Sequence, residues 1–223
     1  MKKVILLCSL LMAAVTVLKA QQTEKPRFWD DVQTIKHYDR MYNPPAHPIL
    51  FTGSSSIRKW GDLERTFAGY VAMNRGIGGA VVNDIIFYLD DIVFPYQPRQ
   101  IVLYVGENDL PDAASTADSV LERTKRLFYR IRERLPDVPI IYISMKPSPS
   151  REKFQQKAIA ANALIKDFLS TQKQAVFIDI FHPMLTSDGK TRPELFVSDM
   201  LHMNEKGYKI WRELVEPHLL KLE

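Results

Sequence analysis

The sequence has little of what would assign it to several common protein classes. Among its 223 residues there is one cysteine, Cys8, and a lone thiol can close no disulfide within the chain. Glycine is scarce, at 9 residues, which excludes a collagen-like fibre. The longest apolar run, Val4 to Leu18, falls short of the roughly 20 residues that a membrane-spanning helix requires. The five histidines are scattered without the spacing of a metal site, so neither a metal nor a cofactor is expected. There is no internal repeat, low-complexity tract or linker. The excess of positive charge is small, 30 basic against 26 acidic side chains. What remains, 46% hydrophobic and 25% charged, is the balance of one globular domain with room for a single core.

Part of the positive charge belongs to the amino terminus. Lys2 and Lys3, the apolar run and Ala20 before Gln21-Gln22 follow the order of a secretory signal peptide over residues 1–20. Removing it leaves 203 residues, no cysteine and a formal charge of +1, since Lys2, Lys3 and Lys19 go with it. The expectation is an exported protein without a stable membrane anchor, indifferent to an oxidising compartment. The remaining basic cluster, Arg123, Lys125, Arg126, Arg130, Arg132 and Arg134, alternates with Glu122 and Glu133 on a helical pattern. It reads as a solvated face, and no nucleic-acid partner is expected.

Along the mature chain, Arg27–Tyr42 has helical periodicity and stops at Pro44-Pro45, giving an N-terminal helical extension over residues 21–48. From residue 49 to 223 short apolar runs alternate with helical patterns. The runs are Ile49–Thr52, Tyr70–Asn74, Gln100–Val105, Ile140–Ser144 and Ala175–Ile180; the clearest helices are Ser115–Leu135, Glu152–Thr171 and Asn204–Leu220. Ser119 with Glu122, or Ser115 with Asp118, is the expected capping box of the first of these. Five buried-type strands separated by helices predict an α/β fold with one parallel sheet covered on both faces.

Ligands of such sheets collect at the carboxyl ends of the strands. Four places there are more polar than packing requires: Gly53-Ser54-Ser55-Ser56, Asn74-Arg75-Gly76-Ile77-Gly78-Gly79, Gly106-Glu107-Asn108-Asp109 and Asp199-Met200-Leu201-His202. A strand-to-helix turn would expose Ser55 as a nucleophile with its own N–H facing a developing oxyanion, although three serines also suit a turn and helix cap. His202 can act as its base, and Asp199, three residues earlier, can orient the ring. His182 is the rival base, followed by Pro183 and read as lacking an acid at so convenient a spacing. A backbone N–H of the Gly78-Gly79 pair and the side-chain amide of Asn108 can serve as oxyanion donors. Asn204 is the expected cap of the last helix.

In this order, Gly-x-Ser-Ser, Asn-x-Gly-x-Gly-Gly, Gly-Glu-Asn-Asp and Asp-x-x-His, the blocks resemble the SGNH or GDSL family of serine esterases over about residues 49–218. Ser54 stands where the first block usually has Asp, a feature of the branch that resembles platelet-activating-factor acetylhydrolase subunits. The resemblance implies a flavodoxin-like three-layer sandwich around five parallel strands. It implies Ser55, Asp199 and His202 as the catalytic triad, and Ser55, Gly79 and Asn108 as the oxyanion hole. Gly79 is preferred to Gly78 because it falls five residues after Asn74.

The expected reaction is hydrolysis of a carboxylic ester, with O-acetyl groups on carbohydrate as the first substrate class. A lysophospholipase or acyl-thioesterase of the same mechanism is the alternative, and a non-catalytic binding module the alternative of another kind. A dinucleotide site at Gly76–Val81 is disfavoured, because Val81 occupies the third glycine position. Ser54, Lys146 and Arg151 are the expected substrate contacts, the latter two for an acidic group. Trp60 and Tyr104 could stack on a sugar but fit the core better. The partner is thus a small-molecule or oligosaccharide ester, and the sequence leaves the oligomeric state open.

Overall fold

The computed structural model describes residues 24–222. The expected signal peptide over residues 1–20, with Cys8, lies outside the described residues. Strands β1 (Ile49–Gly53), β2 (Ala72–Gly76), β3 (Gln100–Tyr104), β4 (Ile140–Ile143) and β5 (Ala175–Ile178) form one all-parallel sheet in the order β2-β1-β3-β4-β5. This is the parallel α/β sheet expected from the alternation of apolar runs and helices, in the flavodoxin-like form that the family resemblance implies. The strand order reverses between β1 and β3, and their carboxyl ends diverge there into a crevice.

Alternate strand residues face opposite helical layers. Leu50, Ile101, Leu103 and Ile140 join a core completed by α1 (Trp29–Tyr42), α4 (Val82–Phe87), α5 (Leu89–Ile92), α6 (Ala117–Arg134) and α7 (Gln155–Ser170). Ile49, Phe51, Val102 and Ile141 face α2 (Ser55–Arg58), α3 (Leu63–Thr66) and α8 (Glu205–Val215). Both faces of β1 and β3 are buried, so these strands are continuously apolar rather than alternating.

Several element boundaries differ from the sequence expectation for identifiable reasons. β2 starts two residues late because Val71 takes a left-handed conformation after a 3₁₀ turn, and it continues through Arg75 and Gly76, which pair with Thr52 and Gly53. The capping box of α6 is neither expected pair. Thr116 Oγ1 accepts from the Ser119 amide at 3.1 Å, and Ser119 Oγ accepts from the Thr116 amide at 2.9 Å. β5 stops at Ile178 because the next amides, of Ile180 and Phe181, donate to Ser144 Oγ. Helix α8 stops at Val215, and Pro217, which lacks an N–H, leaves a 3₁₀ turn in place of the predicted last turns.

The segment before β1 is not a loose extension. Val32 of α1 is fully buried, Arg75 and the Tyr96 hydroxyl both bind Asp39, and Lys36 pairs with Asp91 at 2.6 Å. Its beginning reaches the site end of the sheet. Arg27 Nη2 donates to the Gly79 carbonyl at 3.1 Å, and Arg58 binds Asp31.

Candidate active site

Gly53 makes the nucleophile turn possible. Its φ is +131°, and a Cβ there would lie 1.9 Å from the Tyr104 carbonyl oxygen, so the chain leaves β1 by a path that no other residue can follow. Ser54 then caps α2 with extended backbone, and Ser55 opens the helix, half-exposed at the crevice.

Asp199 and His202 reach the same place from the loop before α8. The Asp199 carboxylate accepts from the backbone amides of Leu201 and His202 at 2.9 and 2.8 Å, and its other oxygen from His202 Nδ1 at 2.6 Å. With Nδ1 committed as donor, Nε2 presents its lone pair to Ser55 Oγ, 3.0 Å away. Partial burial pushes the Asp199 carboxyl up, but hydrogen bonds from the His202 ring and from these two amides outweigh it and hold the group well below the ordinary carboxylate range. The loop is fixed behind by Asn204, whose side chain accepts from the Lys206 and Gly207 amides and donates to the Glu194 and Phe196 carbonyls.

Across the crevice, Gly79 has φ +84°, a left-handed conformation that glycine adopts without strain. Asn108 is tied to the same loop. One Nδ2 hydrogen goes to the Ala80 carbonyl at 3.1 Å, leaving the second for a ligand, while Oδ1 accepts from Arg151 Nη2 at 3.4 Å. Asp109 braces the pair from below, accepting from the Val82 amide at 3.1 Å and from Arg123 at 2.9 Å. Ser55, Gly79, Asn108 and His202 therefore lie at the carboxyl end of the sheet, and Arg151 stands beside Asn108.

Two expected substrate contacts do not reach the crevice. Ser54 is buried, and its amide donates to the Tyr104 carbonyl at 2.8 Å, so it serves the turn. Lys146 is buried as well, with Nζ 2.9 and 2.7 Å from the two oxygens of Glu107. The same carboxylate accepts from the Tyr104 hydroxyl at 2.5 Å and from Ser148 Oγ at 3.3 Å. Burial pushes the Lys146 ammonium down and Glu107 opposes the shift. Glu107, next to Asn108, carries no role in the sequence reading. The signal available was two opposite charges at the ends of neighbouring apolar strands.

His182 requires a correction of another kind. Asp179 does stand three residues before it, and His182 Nδ1 lies 2.5 Å from Asp179 Oδ2. This second pair is exposed at the end of β5, whereas Ser55 faces His202. Trp60 and Tyr104 are both core residues. Among the described residues, no group of three or more His, Cys, Asp or Glu side chains converges as metal ligands, and no helix is long and apolar enough to cross a membrane.

The model of the GDSL-like lipase/acylhydrolase family matches residues 49–210, well over half of the chain. Among curated proteins, none matches the chain. Several solved structures share the fold. A Streptococcus pneumonia protein provisionally described as a platelet activating factor is 22% identical, with TM-score 0.74 over 94% of this chain and 99% of its own. A GDSL-like lipase from Bacteroides thetaiotaomicron is 18% identical, with TM-score 0.72 over 84% and 96%. A Clostridium thermocellum family 3 carbohydrate esterase is 18% identical, with TM-score 0.61 over 78% and 98%.

Proposed function

From the premise that this chain belongs to the GDSL-like lipase/acylhydrolase family and is an ester hydrolase, we propose that it cleaves short acyl groups, O-acetyl groups on carbohydrate first among them, through an acyl-enzyme on Ser55. The observation that carries the reading is the unbroken relay from Asp199 through His202 to Ser55, with contacts of 2.6 and 3.0 Å. His202 Nε2 takes the Ser55 proton as Oγ attacks the ester carbonyl, and Asp199 stabilises the imidazolium formed. The carbonyl oxygen, now negative, is met by the amides of Ser55 and Gly79 and by the free Nδ2 hydrogen of Asn108. His202 returns the proton to the departing alcohol, and the ring then activates water to release the acid and free Ser55.

The short-acyl, carbohydrate reading is supported by a fold shared with a carbohydrate esterase. Export is part of the proposal and rests on Lys2, Lys3 and the apolar run that follows them. The test is hydrolysis of p-nitrophenyl acetate, with acetylated oligosaccharides, lysophospholipids and acyl-thioesters compared as natural-type substrates. Ser55→Ala and His202→Ala abolish turnover and His182→Ala does not, while a phosphonofluoridate labels Ser55. Normal rates in Ser55→Ala remove the assignment, a preference for long acyl chains replaces the carbohydrate reading with a lipase, and absent labelling of folded protein leaves a binding module.

A further inference from the structure

An ester's alcohol portion departs beside the group that protonates it. If His202 Nε2 is that group, the alcohol lies on the His202 side of Ser55, away from Gly79 and Asn108. An open cleft of about 720 Å³ lies next to that side, lined by Lys59 and Met203 at its near end and by Tyr208 and Arg212 of α8. This volume falls within the roughly 300–1,000 Å³ of small-molecule sites. We propose that the cleft is the leaving-group subsite and that it takes an anionic saccharide, so that the substrate is an O-acylated sugar acid whose carboxylate pairs with Lys59. The inference rests on the esterase reading and adds the identity of the alcohol.

The first support is the position of Lys59. Its Nζ is 3.2 Å from His202 Nδ1, but that nitrogen already gives its hydrogen to Asp199 and cannot satisfy the ammonium. Among the described residues Lys59 forms no ion pair with a carboxylate. A cation with open donor capacity therefore stands one imidazole ring and two short contacts from Ser55, at the near wall of the cleft.

The second support is the floor. Tyr208 is half-buried, its ring stacks on buried Trp60 with centroids 5.1 Å apart and planes 24° from parallel, and its hydroxyl donates to the Ser56 carbonyl at 2.9 Å. An aromatic side chain held at both ends gives a sugar ring a rigid apolar face. The third is the charge of the lining, where Lys59, Arg65, Lys209 and Arg212 outnumber Asp62 and Glu205. Three of these cations have partners one helical turn away, exposed Asp62 and Glu213 and half-buried Glu216, and such surface pairs hold their members weakly.

The experiment compares kcat/KM for an O-acetylated methyl hexuronide, its neutral methyl ester and an O-acetylated glycerol phosphate, in wild type and in Lys59→Met. The wild type favours the uronide over its methyl ester by about tenfold, and raising the ionic strength well beyond about 0.1 M reduces the ratio. In Lys59→Met the ratio falls to near one; because it is a ratio, any change in turnover common to both substrates cancels. Equal rates on acid and methyl ester overturn the subsite, as does a ratio that survives Lys59→Met, and better use of the glycerol phosphate overturns the saccharide assignment. Hydrolysis of p-nitrophenyl acetate by the same preparation keeps these failures separate from failure of the esterase reading, which an inactive folded wild type would show.

Discussion

Replacing Glu107 by Gln leaves the Lys146 ammonium buried opposite a neutral amide. Both side chains are almost wholly removed from solvent, at 5% and 1% exposure, so water cannot take over the lost partner. Removing one member of a buried ion pair typically costs about 3–5 kcal/mol, because the remaining charge keeps its desolvation penalty and loses its compensation. The expected loss is at the lower end of that range, since the Tyr104 hydroxyl and Ser148 Oγ stay in place and Lys146 can shed its proton. That escape fixes the pH dependence. Burial already pushes the Lys146 ammonium down, and without the carboxylate it falls further, so between its folded value and the ordinary ~10.4 the unfolded chain binds more protons. Stability of the variant therefore rises with pH across that window and approaches wild type from below. Urea unfolding of wild type, Glu107→Gln, Lys146→Met and Glu107→Gln/Lys146→Met at neutral and alkaline pH measures the cycle. The double variant recovers most of the single-variant loss, since it buries no unpaired charge and the Gln amide oxygen still accepts from the Tyr104 hydroxyl. A cost below about 1 kcal/mol in Glu107→Gln, the range of exposed pairs, would refute the reasoning by showing that water reaches the pair.

Asn108→Ala removes one of the proposed oxyanion donors and is expected to lower kcat by about 10²–10³, with the urea midpoint moving little by comparison. Gly53→Ala gives no folded protein, judged by circular dichroism, because the added carbon would sit 1.9 Å from a β3 carbonyl oxygen. Asn204→Ala loses about 2 kcal/mol on urea unfolding, at the upper end for a cap, since the side chain serves two amides and two carbonyls. Asp199→Asn is less stable than wild type at neutral pH; the Asp199 carboxyl is held low when folded, so the difference persists above the ordinary ~3.9 and shrinks as pH falls below it, which thermal melts at pH 7 and pH 3 resolve.

The sheet was readable because its central strands are buried on both faces and so appear as uninterrupted apolar runs. Ser55, Asp199 and His202 were readable because each follows a strand or precedes a capped helix, where local spacing constrains geometry. The less legible features depend on partners distant in sequence. Arg75 continues β2 because Asp39 and Tyr96 bind its guanidinium, and nothing near Arg75 announces them. Lys146 looks like a surface cation until Glu107, in the turn after another strand, is placed beside it. The Asp179-x-x-His182 pair shows the opposite limit, since spacing alone does not distinguish it from Asp199-x-x-His202. Only the position of Ser55 separates the two.

The tight approach of Arg27 to Gly79 has a practical side. The last described residues lie at the other end of the sheet, where the Leu220 amide donates to the side chain of Gln100, the first residue of β3, at 2.9 Å. A fusion joined just before Glu24 would hang its tether over the crevice, whereas one joined after Leu222 leaves it clear. Fixed to a bead or sensor chip through its tail, the molecule would turn its reactive rim toward the solution.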